Sequence, residues 1–380
     1  MDADNSGRED SRMASLSAFY HRTHRLFDLP GFYRLHRFQG LRKAFYRELW
    51  EQAARSVGAD FQDWDFGYFR ISRGGSTTMV KLGSVMMDNH LMLDLMGNKP
   101  LTYALLGEKG HAVPEFRVYS MQSLHKAEAF LELHGGPVVV KPATGSGGGR
   151  GVTTGIGNRR ALRKASRLAA RYDGTLLVEE QIDGQSYRLL YLDSEFIDAV
   201  RRDPPTLTGD GRHSIRDLVR MENRSRLSGR PFSALSPLQI DQDCHHRLRA
   251  LGLSPRSRLA AGNTIVLKRA VNENSADGNH SVRHQVHPET IARGARLVQD
   301  LGVRFAGLDV ICQDIAAPLS PDNGRINEIN TTPGIHHHYL IAQPAGGVRV
   351  AEILLSRLFE SGRGVMRLGD RAAHVRSRAA

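Results

Sequence analysis

The chain has only two cysteines, Cys244 and Cys312, in 380 residues. That excludes a disulfide framework and suits a reducing cytoplasm, where the protein is expected. No apolar run approaches the roughly 18 residues of a membrane span, so no membrane partner is expected. The N-terminal M-D-A-D-N-S-G-R-E-D has no basic start followed by an apolar stretch, so no secretory leader is expected. Aromatic residues make up 7%, and no basic stripe is interleaved with them. Nucleic acid therefore ranks low among partners. There is no internal repeat, no Ser-His-Asp or Cys-His constellation and no G-K-[S/T] after a glycine loop. Cys244-His245-His246 and His336-His337-His338 lack the paired spacing of a structural zinc site.

What is present is positive charge. The net charge is +12, which attracts anions such as nucleotides or acidic substrates. Part of it lies in the last stretch, Gly362–Ala380, expected as a frayed basic tail. The first 16 residues read as a disordered tail and 17–96 as a small α/β unit without chemistry of its own. In that unit Leu41, Phe45, Leu49, Ala53 and Val57 fall four apart, which predicts an amphipathic helix. Gly74-Gly75 marks a hairpin between two strands. Residues 204–262, with Gly209-Asp210-Gly211, read as an insertion between strands and not a plain loop.

Two stretches carry chemistry. In Arg325–Ile335 (R-I-N-E-I-N-T-T-P-G-I), Glu328 and Asn330 are two apart, so on a strand they share a face. Upstream, F-A-G-L-D-V-I-C (305–312) is an apolar strand with Asp309 at its centre, a cost unless the carboxylate is paired or metal-bound. Asp309, Glu328 and Asn330 form an all-oxygen set suited to Mg²⁺ and not to zinc. The histidines at 336–338 follow the Pro-Gly turn and are expected at the rim of such a site, facing an anionic substrate. The second stretch is G-P-V-V-V-K-P-A-T-G-S-G-G-G-R-G-V-T-T-G-I (136–156). A strand closing on Lys141 leads into a glycine loop containing Ser146, Gly147, Gly148 and Gly149, then a second strand. Such a loop suits a flexible cover over phosphates, and Lys141 beside it is an expected phosphate contact.

Lys99, V-V-V-K at 138–141, the glycine loop, V-E-E-Q-I at 178–182, Asp309 and E-I-N at 328–330 resemble the ATP-grasp superfamily in order and approximate spacing. R-R-D-P-P-T-L-T-G-D-G (201–211), I-R-D-L-V (215–219) and N-T-I-V-L-K-R-A-V-N-E-N-S (263–275) resemble the ATP-grasp part of cyanophycin synthetase and related glutamate-ligase-like proteins. The resemblance covers roughly residues 40–360.

It implies an α/β (α+β) protein with two subdomains gripping ATP. The ATP-grasp domain is expected over 97–360, with a lid subdomain at about 137–180. Lys99 and Lys141 would bind phosphates beneath the loop. Glu179 and Glu180 would contact the adenine amino group, and Ile182 the ring through its backbone. Arg201 or Arg202 would hold the transferring phosphoryl group, with Lys268 and Asn274 of the third motif in the catalytic set. Asp309, Glu328 and Asn330 would hold two Mg²⁺, with Mn²⁺ as an alternative. Ser186 stands where the family usually has a ribose-binding acid. The implied activity is ATP-dependent carboxylate–amine ligation through an acyl phosphate, on small or peptide substrates that lean acidic. The Mur-ligase-like half of cyanophycin synthetase has no counterpart, so cyanophycin is not expected as the product. A non-catalytic nucleotide-binding module is the alternative, and homo-oligomerisation is left open.

Overall fold

The computed structural model describes residues 29–145, 149–229, 233–271 and 273–367. Helix α1 (Leu29–Ser56) begins a dozen residues before the periodic stretch. Residues 33–40 are mostly exposed, so no apolar face announces its first turns. Leu41, Phe45, Leu49 and Ala53 are buried as the spacing predicts. Strands β1 (Asp60–Asp63), β2 (Phe69–Arg73) and β3 (Ser76–Val80) form an antiparallel sheet. Gly74 and Gly75 turn the hairpin at φ +55° and +76°.

Helices α2 (His90–Gly97) and α3 (Lys99–Glu108) meet at Asn98, whose side chain caps α3 by accepting from the Leu101 N–H. Helix α3 runs through Gly107 without a break. Next come β4 (Phe116–Tyr119), α4 (Leu124–His134), β5 (Val138–Pro142), β6 (Thr153–Ile156), α5 (Arg159–Ala169) and β7 (Leu176–Glu180). Their four strands pair in the antiparallel order β4-β7-β5-β6, with α4 and α5 covering one face over Phe130, Leu162 and Val178. The sheet therefore draws in a strand well ahead of residue 137.

Then follow β8 (Gln185–Leu192), β9 (Glu195–Arg202), β10 (Thr206–Thr208), α6 (Ile215–Arg226), α7 (Gln242–Ala250), β11 (Thr264–Val266), β12 (Asn279–Ser281), α8 (Pro288–Asp300), β13 (Phe305–Cys312), β14 (Gly324–Asn330) and α9 (Val350–Ser361). The large sheet is antiparallel in the order β12-β9-β8-β13-β14. Among the described residues every strand pairing is antiparallel, so the fold is α+β. Residues 206–266 are not a plain connection. The ribbon β10–β11, with α6 and α7, buries its own cluster around Leu207, Ile215, Leu248 and Leu267.

Both faces of the large sheet are covered, which explains the continuous apolar run of β13. Ala306, Leu308 and Val310 pack with Tyr187 and Leu189 and with Leu297 of α8 on one face. On the other, Phe305, Leu190 and Leu192 pack under Trp50 of α1 and Leu354 of α9. Alternation continues along that second face with Gly307, Asp309 and Ile311. The opposite partners on β8 are Leu190, Arg188 and Ser186. Core gives way to a polar cavity floor on one continuous sheet face.

Gly184 joins the four-stranded sheet to the five-stranded one. Its φ is +142°, and an added Cβ would lie 2.4 Å from the Cys312 carbonyl oxygen. Gly184→Ala is expected to lower the unfolding free energy by about 1–3 kcal/mol through backbone strain and overlap. Urea denaturation measures it, and a change below about 0.5 kcal/mol would mean that the neighbouring strand yields freely.

Candidate active site

A cavity of about 690 Å³ lies over the polar end of the large sheet, bounded by the four-stranded sheet, α1 and the 206–266 insertion. Its floor is set by strand register. Asp309 of β13 faces Arg188 of β8 on one side and Glu328 of β14 on the other. Arg188 donates from Nε to Asp309 Oδ1 and from Nη2 to Oδ2, both at 2.7 Å. Such a bidentate charged pair is directional and strong. Burial works to lower the Arg188 pKa, but Asp309 outweighs it and the net shift is upward.

Arg202 of β9 adds a second cation 3.9 Å from Asp309. Burial and neighbouring Arg188 push it down to about 10, which still leaves it charged at neutral pH. Its Nε is buried without a hydrogen-bond partner, a cost that an anion in the cavity would offset. Lys99 at the start of α3 reaches Glu328 at 3.1 Å.

A β-bulge aims β14. Asp309 pairs with Glu328 but Val310 pairs with Ile326, leaving Asn327 extra. Ile326 and Ile329 are buried in the core while Asn327, Glu328 and Asn330 line the cavity. Glu328 and Asn330 do share a face, as their spacing predicts. The Tyr103 hydroxyl lies 2.9 Å from the Asn327 carbonyl oxygen and 3.0 Å from Glu179 Oε2, and it accepts from Lys141 Nζ at 3.0 Å.

At the opposite end, Lys141 of β5 pairs with Glu179 of β7 at 2.7 Å, both buried. Burial lowers the Lys141 pKa and Lys99 adds to that, while Glu179 opposes it. Glu179, Glu180, Ile182 and Ser186 all line the cavity. The Glu180 carboxylate is already engaged, by Arg325 Nε and the Glu115 N–H, each at 3.1 Å. Gly149 lines the cavity. Ser146, Gly147 and Gly148 lie outside the described residues.

Two of the expected catalytic residues lie outside the cavity lining. Arg201 does not line the cavity. Neighbours on a strand face opposite ways, and Arg201 turns to Asp203 at 3.0 Å while Arg202 turns inward. Lys268 is fully buried outside the cavity, bonded to Glu273 at 2.6 Å and to Asp241 at 2.8 Å. It braces the insertion and does not face the site. Asn274 does line the cavity, and its Oδ1 is buried without a partner.

The N-terminal unit, expected to bring no chemistry, supplies Arg42 to the cavity wall. It also supplies Tyr46, whose hydroxyl lies 2.8 Å from His336 Nδ1. His336 and His337 line the cavity but are buried, and their pKa values lie well below the ordinary range. Burial is the first cause for both. The next are Arg42 for His336, and His336 and Arg202 for His337. Both are neutral at neutral pH, so they would meet an anion as hydrogen-bonding groups and not as cations. His338 is held by Asp198 at 2.7 Å, away from the cavity.

Arg188 was missed in the sequence, although it interrupts the apolar strand Y-R-L-L-Y as Asp309 interrupts its own. The same cost argument would have found it. Arg42 had no such signal on a polar helix face.

Asp309 and Glu328 are two facing carboxylates beside the amide of Asn330. Among the described residues no group of three or more His, Cys, Asp or Glu could hold a metal. A two-carboxylate, all-oxygen set fits Mg²⁺, which retains waters and shares its shell with phosphates. The partnerless Arg202 Nε fits an anion at the same end.

Among solved structures, the fold is similar to that of the bifunctional glutathione synthetase from Pasteurella multocida. The TM-score is 0.50 at 22% identity, over 81% of this chain and 43% of that one. The chain has the ATP-grasp fold that its motifs imply. Its relatives include the cyanophycin synthetase of Trichormus variabilis, 28% identical over 304 residues, 78% of this chain and 33% of the relative. Another is the glutathione biosynthesis bifunctional protein GshAB of Listeria welshimeri, 28% identical over 318 residues, 82% of this chain and 40% of that one. The chain thus spans about a third to two fifths of the length of these curated relatives. No protein-family model matches it.

The brace reading of Lys268 has a direct test. Lys268→Met leaves Glu273 buried and unpaired and is expected to cost about 3–5 kcal/mol in denaturant unfolding. ATP affinity, measured by calorimetry below the new melting point, should hold within about twofold. Lost ATP binding with intact stability would return Lys268 to the site.

Proposed function

We propose that this protein is an ATP-dependent carboxylate–amine ligase that splits ATP to ADP and phosphate by way of an acyl phosphate. The observation that supports this most is the cavity floor, where two facing carboxylates are surrounded by Lys99, Arg188 and Arg202. Such a floor suits phosphoryl transfer, in which positioning and charge neutralisation supply most of the rate.

In this reading Lys99 and Lys141 hold the phosphates, and Gly149 belongs to the loop that covers them. The backbone around Ile182 takes the adenine and Ser186 the ribose. Glu179 is exchanged from Lys141 to the base as Lys141 turns to phosphate, while Glu180 stays with Arg325. Arg202, and not Arg201, holds the transferring phosphoryl group, with Asn274 beside it. Asp309, Glu328 and Asn330 would hold two Mg²⁺, or Mn²⁺, which would supply charge neutralisation for the phosphoryl transfer. Arg188 keeps Asp309 aimed. The four-stranded sheet acts as the lid that keeps water from the acyl phosphate. The carboxylate and amine are small molecules or peptides of acidic character, met by Arg42 and the histidine wall. Two free, buried cysteines suit a reducing compartment such as the cytoplasm.

Asp309→Asn and Glu328→Gln are each expected to reduce turnover by at least about a hundredfold while the fold is retained. Phosphate release and circular dichroism report the two. Full activity with an unchanged Mg²⁺ requirement would remove both residues from the site.

The reaction route is tested after an ATPase screen of amino acids and short peptides identifies a stimulating acid. That acid is then labelled with ¹⁸O in its carboxylate. One label is expected in the released inorganic phosphate. Label in AMP would mean adenylation and would defeat the proposed route. Nucleotide binding without phosphate release under any acceptor would favour the non-catalytic module.

A further inference from the structure

A second cavity, of about 390 Å³, opens within the insertion, away from the large sheet. Arg212, Arg216, Arg220, Arg256 and Arg258 line it with a single carboxylate, Asp217. Asp217 is already bonded to Ser214 at 2.5 Å and to Arg220 at 3.0 Å. Among the described residues, the other four guanidinium groups have no carboxylate within ion-pair distance. Like charges gathered this way repel one another, and an anionic ligand would offset that repulsion.

The cluster is built on a rigid frame. The 209–214 turn and the 254–258 turn are stitched together by Gly211 N–H to Leu259 O at 3.1 Å, Ile215 N–H to Ser257 O at 2.9 Å and Arg216 N–H to Pro255 O at 2.9 Å. Gly209 permits the approach, since an added Cβ would lie 2.4 Å from the Ala260 oxygen. Gly211 turns the chain at φ +75°. The Gly209-Asp210-Gly211 motif is thereby explained as the cross-over that brings the two sets of arginines together.

The same frame narrows the ligand. A compact phosphate at a helix start is taken by free backbone N–H groups. Here those groups are used. Ile215 and Arg216 donate to the facing turn, Asp217 N–H donates to Ser214 Oγ, and the Arg212 and His213 N–H groups donate to Asp210 Oδ1. What remains is a set of separate guanidinium forks, each able to take a carboxylate or a phosphate, and their separation suits several anionic groups carried on one chain more than a single compact anion.

We propose that this cavity binds an acidic peptide, through several separate side-chain carboxylates. The site is independent of the ATP cavity and of the ligase reading.

The test is calorimetric titration of the full-length protein with tetra-L-glutamate at low salt, roughly 20 mM. Tetra-L-glutamine, inorganic phosphate and a short DNA duplex serve as comparisons. Saturable binding of tetraglutamate, and not of tetraglutamine, is expected. The double variant Arg216→Glu/Arg258→Glu should weaken it at least about tenfold with melting temperature and ATP affinity unchanged. Arg202→Ala, in the main cavity, should leave peptide affinity in place. If the double variant does not fold, Arg212→Ala and Arg256→Ala are each expected to weaken binding about threefold. The proposal is overturned by absence of saturable binding, by loss with Arg202→Ala but not with the cluster variants, or by phosphate or DNA binding as tightly as the peptide.

Discussion

The Arg188–Asp309 pair organises the site. Each charge sits on a central strand of a sheet covered on both faces, and neither could be buried alone without a cost of several kcal/mol. Their opposition in register turns two liabilities into one directed pair. Glu328, Lys99 and Arg202 then arrange around it, so the polar floor is a continuation of the sheet and not a loop laid upon it. Side chains mounted on such strands hold their positions more closely than loop residues would.

Charge in the cavity is arranged as alternation. Lys141 meets Glu179, Lys99 meets Glu328, and Arg188 meets Asp309. In this state the acidic residues occupy the cations that a polyphosphate would otherwise claim. In the proposed reading a nucleotide and its metal would draw Lys99 and Lys141 to the phosphates and Glu328 to the metal, while Glu179 would pass to the base and Arg188 would stay on Asp309. The neutral histidines sit outside this alternation and leave the wall beside Arg42 without added charge.

Much of the arrangement was legible in the sequence where a residue broke a pattern. Asp309 in an apolar strand, the i, i+2 spacing of Glu328 and Asn330, and Lys141 closing three valines all pointed to the cavity they line. Arg201 and Arg202 were indistinguishable until the pairing with β8 set their faces. Lys268 lies within a family-like motif yet is paired with Glu273 and Asp241 outside the cavity lining, and motif membership does not separate a brace from a ligand. The approach of α1 to His336 was invisible, since the contact spans 290 residues and neither partner is unusual locally. The first turns of α1 and the run of α3 through Gly107 escaped because periodicity reports burial and not helix length.

The bulge at Asn327 changes the parity of β14. Ile326, Glu328 and Asn330 all carry even numbers, yet the first faces the core and the other two face the cavity. Residue counting from the start of the strand would send Glu328 inward. A single inserted residue thus lets one short strand serve as hydrophobic wall at one end and ligand donor at the other. The length of this strand is therefore fixed to the residue, because losing one position would reverse every side chain beyond it.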